Sequence, residues 1–142
     1  MSLEDLYRET ILDHYRNPRN KQGLDGSTVD VTHNNPLCGD EITIHVALRD
    51  GAVADVAFEG QGCSISQASA SMLTELVKGK SLAEVEDLIL KFRTMMGGKP
   101  VEDEDALGDL VALKGVVKYP VRIKCAVLAW DTLQEGVQAP AQ

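Results

Sequence analysis

The order of apolar and polar residues predicts a small β-sheet that follows an N-terminal helix. Near the start of the chain, largely apolar residues recur every three or four positions, which is the spacing of one helix face: they are Leu3, Leu6, Tyr7, Ile11, His14 and Tyr15. Ser2 is a suitable N-cap for this helix, and residues 17–20 end it. We expect the stripe to be buried, with His14 a structural histidine rather than a metal ligand.

Residues 28–58 alternate between apolar and polar positions, as in half-buried β-strands. Three such runs predict an antiparallel meander with one apolar face, whose inward residues are Val29, Val31, His33, Ile42, Ile44, Val46, Leu48, Ala54, Val56 and Phe58. A three-residue loop at 49–51 would pair Ile42 with Phe58, so that apolar residues face apolar residues. The same register places Cys38 opposite Gly62, next to Cys63.

Four further helices follow the strands in the predicted order. Ser64 and Ser81 each precede a Gln or Glu by three positions, which is the spacing of a capping box. A short helix is expected at 106–113, and Pro120 suits the first position of the last helix. The pattern therefore predicts an α+β fold, in which a three-stranded antiparallel sheet has one face covered by about five helices.

Length and charge limit the classes of protein to consider. The chain has 142 residues, enough for one domain spanning 1–142, and its tail from about 138 is expected to be flexible. The net charge of −8 disfavours nucleic-acid binding. No apolar run approaches the roughly 18 residues of a membrane span, and the N-terminus lacks the features of a signal peptide. We expect a cytoplasmic protein with no membrane or nucleic-acid partner and, since each apolar stripe has a predicted partner, a monomer.

The three cysteines allow two interpretations. Cys38, Cys63 and Cys125 are an odd number, and a reducing compartment would keep them as thiols. One interpretation is that all three are small buried residues. The other is a metal site. Cys38 and Asp40 would point the same way in an extended chain, while Cys63 and Cys125 lie at the starts of two helices.

Three thiolates and one carboxylate are a four-coordinate set that favours zinc or iron–sulfur chemistry over magnesium or calcium. Arg122 precedes Cys125 by three residues and shares its helix face. The residues alone thus indicate a thiolate metal site, and leave open whether it is closed or reactive.

Four segments resemble the U-type proteins of iron–sulfur cluster assembly, the family of the NifU N-terminal domain and IscU: they are 14–20, 35–40, 60–66 and 120–125. The resemblance covers nearly the whole chain and implies a SufE/NifU-like fold. IscU-type scaffolds usually carry a histidine just before the last cysteine, where this chain has Lys124. The SufU-type branch lacks that histidine and has an extra segment, which the stretch from about 95 to 115 resembles. The resemblance therefore favours the SufU-type branch.

This resemblance implies a zinc-dependent sulfurtransferase that accepts persulfide sulfur from a SufS-type cysteine desulfurase, a pyridoxal-phosphate enzyme, for a downstream iron–sulfur scaffold. Zinc would be bound by Cys38, Asp40, Cys63 and Cys125. Cys38 would be the sulfur acceptor, and the partner's imidazole would replace it on the zinc. Arg122 is expected to act beside the ligands or in docking. The protein would act as a sulfur carrier together with the desulfurase, and whether it counts as an enzyme is open.

Two alternatives to the sulfurtransferase stay open. The first is an IscU-like scaffold that assembles a [2Fe–2S] cluster on the same cysteines, a role against which Lys124 argues. The second is a structural zinc domain without chemistry, against which the oxygen ligand Asp40 argues.

Overall fold

The computed structural model describes residues 2–138, so most of the predicted flexible tail lies outside the described residues. Its elements, in chain order, are α1 (Leu3–Arg16), β1 (Val29–Asn35), β2 (Asp40–Arg49), β3 (Ala52–Gln61), α2 (Ser64–Val77), α3 (Leu82–Met96), a 3₁₀ segment (Glu104–Lys118) and α4 (Pro120–Gln138). The strands form one antiparallel sheet in the order β1-β2-β3. The predicted α+β fold is confirmed.

One face of the sheet carries the core, because alternate residues of β2 are apolar. Ile42, Ile44 and Val46 are buried, and α2 and α4 lie against them. The remaining helices pack onto these two, and the Phe92 ring of α3 stacks on Trp130 of α4 with 5.0 Å between ring centroids. The opposite face of the sheet is polar.

The predicted register between β2 and β3 is wrong by two residues. Ile44 pairs with Phe58, and Ile42 pairs with Gly60. The strands are joined by a two-residue turn, in which Asp50 (φ 53°) and Gly51 (φ 75°) both adopt the left-handed conformation of a type I′ turn. A shift of register beside Ala47 and Leu48 then leaves Ala54 exposed and buries Val53 in its place. Because the register is shifted by two residues and side chains alternate between the two faces of a strand, the same side chains still face the core over most of the hairpin.

The apolar stripe of α1 is less buried than predicted. Leu3, Leu6 and Tyr15 are exposed, and of the whole helix only His14 is buried. The imidazole of His14 hydrogen-bonds Ser71 through Nδ1 (2.8 Å) and Asp109 through Nε2 (2.9 Å), and so has the structural role expected. The exposed stripe removes the basis on which a monomer was predicted.

The helix ends follow the sequence signals in part. Ser81 forms the predicted capping box with Glu84, and Pro120 begins α4. The box predicted at Ser64 is wrong, since Cys63 is the N-cap of α2. The short helix expected at 106–113 is part of the longer 3₁₀ segment, which is kinked at Gly108. Within residues 2–138, no helix is both long enough and apolar enough to cross a membrane.

Candidate metal centre

A tight turn between β1 and β2 presents Cys38. The Cys38 N–H donates to the Asn35 carbonyl (3.2 Å), and the Leu37 N–H donates to Asn35 Oδ1 (3.3 Å). Asn followed by Pro is a common start for such a turn, because the Asn side chain can accept a nearby backbone N–H. Gly39 has a φ of 69° and leads the chain back into β2. Cys38 therefore lies in a turn, rather than in the extended segment that was predicted.

The carboxylate of Asp40 is buried and tightly held. Its Oδ1 accepts hydrogen bonds from the Cys63 backbone N–H (2.8 Å) and from the Ser66 hydroxyl (3.1 Å). Its Oδ2 lies 4.0 Å from Cys63 Sγ. The register predicted from the sequence placed Cys38 opposite Gly62. The observed register instead brings Asp40 beside Cys63.

Gly62 leaves the space that Asp40 occupies. A Cβ atom at this position would lie 2.2 Å from Asp40 Oδ1 and 2.8 Å from Ser66 Oγ, which are impossible contacts. Its φ of 151° is also rare for residues other than glycine. The segment Gly62–Ser66 thus forms a cradle around one carboxylate oxygen.

Cys125 completes the buried side of the site. Its Sγ lies 3.0 Å from Cys38 Sγ, and both cysteines are free. Burial, followed by hydrogen bonds with Cys38 and Asp40, raises the pKa of the Cys125 thiol. Ligand atoms of Cys38, Asp40 and Cys125 all lie within 4.8 Å of one another. Cys63 lies outside this closest group of three, although it adjoins Asp40.

These donors suit a zinc ion. Sulfurs bound to tetrahedral zinc at about 2.3 Å lie roughly 3.8 Å apart. The sulfurs of Cys38 and Cys125 are 3.0 Å apart, and the ligand atoms of Cys38, Asp40 and Cys125 all lie within 4.8 Å of one another, so small side-chain movements would suffice to bind the ion. A buried carboxylate among thiols also leaves negative charge to be balanced, which a divalent cation would do. The residues present therefore fit the metal that the resemblance implies.

A cavity of about 870 Å³ opens beside the site. It is lined by Leu37, Cys38, Ile65, Lys118, Tyr119, Pro120, Val121 and Arg122. Of the four predicted ligands, Cys38 alone contributes to this lining. A hydrogen bond with the Cys125 side chain, and then the charge of the cysteine thiolates, raises the pKa of Arg122. Arg122 thus lies beside the thiols, and its role beside the ligands or in docking stays a prediction.

Sequence reasoning missed three residues that hold the site: Asn35, Gly62 and Ser66. The Asn-Pro pair is a turn signal that could have identified Asn35. No local pattern identifies Ser66 as a partner of Asp40, because the two lie 26 residues apart. Lys124 occupies the position at which the resemblance implies a histidine in scaffolds. Its side chain is exposed on α4.

Comparison with known proteins identifies the family. Residues 6–126 match the NifU-like N terminal domain. Over 136 residues the chain is 51% identical to the zinc-dependent sulfurtransferase SufU of Bacillus subtilis, which covers 96% of this chain and 92% of that protein. It is 41% identical over 139 residues to the iron–sulfur cluster assembly scaffold protein IscU of Streptococcus pyogenes, covering 98% of this chain and 87% of that protein.

A similar solved structure is an iron–sulfur cluster assembly scaffold protein for the SUF system from Fervidobacterium islandicum. It has a TM-score of 0.88 and 32% identity, and the match covers 96% of this chain and 100% of that one. The resemblance drawn from the sequence motifs is confirmed: the chain belongs to the family of the NifU-like N-terminal domain.

Proposed function

We propose that this protein is a zinc-dependent sulfurtransferase, which accepts persulfide sulfur from a SufS-type cysteine desulfurase for iron–sulfur cluster assembly. One observation carries the proposal. Three thiols and a buried carboxylate converge, yet only Cys38 among them also lines an open cavity. The similarity to a relative named as a zinc-dependent sulfurtransferase supports the same function.

The proposed zinc ligands are Cys38, Asp40, Cys63 and Cys125. When bound, zinc would keep the thiols deprotonated at neutral pH. The protein contributes the geometry. Two hydrogen bonds to Asp40 Oδ1 orient the carboxylate and leave Oδ2 directed toward Cys63 Sγ.

In the sulfur-transfer step, Cys38 is the nucleophile. Its Sγ, as a thiolate, attacks the outer sulfur of the partner's cysteine persulfide. A new S–S bond forms on Cys38 as the partner's S–S bond breaks, and the partner's cysteine leaves as a thiolate. The exchange needs no oxidant or reductant. The Arg122 guanidinium, on the wall of the same cavity, would balance negative charge during transfer.

The other two thiols are poorly placed to accept sulfur. Cys125 is fully buried, and the half-buried Cys63 has its Sγ directed at Asp40 Oδ2, 4.0 Å away. Neither lines the cavity through which a partner's cysteine would approach. We therefore assign them to metal binding alone.

The second candidate function is a scaffold for a nascent [2Fe–2S] cluster on the same cysteines. It is favoured by the relatives named as scaffolds in S. pyogenes and F. islandicum. Lys124 counts against it, because a lysine ammonium has no lone pair to offer a metal. Lys124 is also exposed, whereas Cys125 is buried.

The test combines metal analysis of the purified protein with a desulfurase assay. We expect one equivalent of zinc, faster sulfide release by the desulfurase, and a persulfide on the peptide that contains Cys38. In Cys38→Ala the acceleration and the label should be lost, even though Cys63 and Cys125 are still present. As a control, Cys125→Ala should weaken zinc binding but still allow sulfur to be detected on Cys38.

Two results would contradict the sulfurtransferase. A coloured iron–sulfur species without acceleration of the desulfurase would favour the scaffold. Bound zinc with neither acceleration nor a persulfide label would indicate a structural zinc domain.

A further inference from the structure

We propose that Asn35 is a positioning residue, which couples the turn carrying Cys38 to the thiol of Cys125. The proposal rests on the proposed function only in that the two thiols are taken to bind one metal ion. It concerns the last residue of β1, which is buried and pairs with Asp40 across the sheet.

Three contacts connect Asn35 to the site. Its backbone carbonyl accepts the Cys38 N–H (3.2 Å), and its side-chain Oδ1 accepts the Leu37 N–H (3.3 Å). Its side-chain Nδ2 donates to Cys125 Sγ (3.7 Å). One residue therefore holds both the turn of one thiol and the sulfur of the other.

The hydrogen-bond network determines which way the amide group faces. The Leu37 N–H is a donor and needs an acceptor, so the amide oxygen must face it. The amide nitrogen then faces Cys125, where an N–H can donate to a thiolate. The reverse orientation would put the amide N–H₂ against the Leu37 N–H and its oxygen against a negative sulfur.

This arrangement gives Asn35 two effects on a bound metal. A hydrogen bond to a ligand sulfur orients it and tunes its charge donation, as groups around metal ligands commonly do. The turn held by Oδ1 also determines how far Cys38 lies from Cys125, which is 3.0 Å between sulfurs here. Cys125 would thus stay anchored to the metal while Cys38 is the thiol that reacts.

The decisive variant is Asn35→Asp, because the isosteric carboxylate keeps the acceptor for Leu37 but loses the donor to Cys125. Asn34→Asp is the matched control: it makes the same charge change on the adjacent residue, which is exposed on the other side of the strand. Zinc affinity would be measured by competition with a chelator, and cobalt substitution would report the thiolate-to-metal charge-transfer band.

We expect Asn35→Asp to bind zinc about 10-fold or more weakly than Asn34→Asp, with a shifted charge-transfer band. Asn35→Ala, compared with Asn34→Ala, tests the same contact if the Asp variant does not fold. Hydrogen exchange in the metal-free protein should show the Leu37 amide protected in Asn35→Asp and unprotected in Asn35→Ala. A purely structural role would lower the melting temperature without moving the band.

Equal zinc affinity and an unchanged band in the Asn35 and Asn34 variants would overturn the proposal. No desulfurase is present in these measurements. A failed sulfur-transfer assay would therefore leave the role of Asn35 standing, and a negative result here would leave sulfur transfer by Cys38 untouched.

Discussion

Two regions meet at the candidate metal centre, and their surroundings differ sharply. We call residues 36–39 and 119–122 the rim, and the set Asp40, Cys63, Ser66 and Cys125 the floor. Cys38 in the rim and Cys125 in the floor have sulfurs only 3.0 Å apart. Cys38 lines an open cavity, whereas Cys125 is fully buried. The two thiols therefore differ in burial and access, although they are the same chemical group.

The rim and the floor also differ in the side chains that they present. The floor is cross-linked by hydrogen bonds to Asp40 from Cys63 and Ser66. The rim instead exposes apolar side chains, namely Leu37, Tyr119 and Val121. Exposed apolar groups around a reactive thiol are typical of a docking surface. Under the proposed function, we expect substitutions in the floor to change metal binding and substitutions in the rim to change access by a partner.

The largest expected effect comes from a substitution at Gly62, which lies against Asp40 and Ser66 of the floor. Gly62→Ala would place a Cβ 2.2 Å from Asp40 Oδ1 and strain a residue with φ 151°. We expect a loss of at least about 2 kcal/mol in the free energy of unfolding, and strongly weakened zinc binding. Denaturant unfolding of the metal-free protein and chelator competition would measure the two effects.

Gly39→Ala in the rim is the matched control. Gly39 also has a positive φ, of 69°, but an added Cβ would meet nothing within 4 Å. The free energy of unfolding should fall by only about 1 kcal/mol, the conformational cost of placing alanine at a positive φ. Metal affinity should stay close to that of the unaltered protein. If the two variants behave alike, the floor is not the rigid part of the site.

An intermediate effect is expected from the rim at Leu37. Leu37→Asp should lower sulfur transfer from the desulfurase about 10-fold, because an apolar contact at an interface is replaced by a charge. Unfolding free energy should change by less than about 0.5 kcal/mol, as for other surface substitutions. Steady-state kinetics at varied protein concentration would show the loss mainly in KM.

Leu90→Asp is the control for Leu37. Leu90 lies on α3 away from the cavity, and its exposure of 65% matches the 66% of Leu37. Sulfur transfer should be unchanged in this variant. An equal loss in both variants would mean that added negative charge in general, rather than the rim surface, slows transfer.

The smallest effect is expected on the polar face of the sheet, which belongs to neither region. His45 hydrogen-bonds Asp30 of β1 (2.6 Å) and Glu59 of β3 (2.7 Å). Partial burial lowers the pKa of His45, but the two hydrogen bonds and charges together raise it above its ordinary value. Because the pKa is raised on folding, protonated His45 stabilises the fold fully below about pH 6.5. That contribution is lost as pH rises through the folded value.

His45→Gln should therefore cost up to about 1 kcal/mol near pH 6, and the difference should shrink toward pH 9. Unfolding measured across this range would test the sign, and zinc affinity should not change. A cost that grew with pH would contradict the assignment of a protonated histidine between two carboxylates.

Much of the fold could be predicted because its signals are local. Alternation assigned Ile42, Ile44 and Val46 to the core, and all three are buried. The capping box at Ser81 needs only four consecutive residues. The four groups proposed as ligands were also predicted from the sequence, since the chain has only three cysteines and Asp40 lies two residues from one of them.

The remaining features depend on contacts between distant residues. Ala54 is exposed because of a bulge that alternation does not encode. The predicted pairing of Cys38 with Gly62 failed because this bulge and the two-residue turn together shift the register by two residues. The exposure of Leu3 and Leu6 depends on how α1 packs, not on its own periodicity. The sequence by itself determined which side chains of β2 face the core and which atoms could bind a metal. Only the tertiary structure decided that Asn35 contacts Cys125, that Ser66 holds Asp40 and that Cys38 is the one proposed ligand that lines the cavity. Those relations arise from packing between segments far apart in the chain.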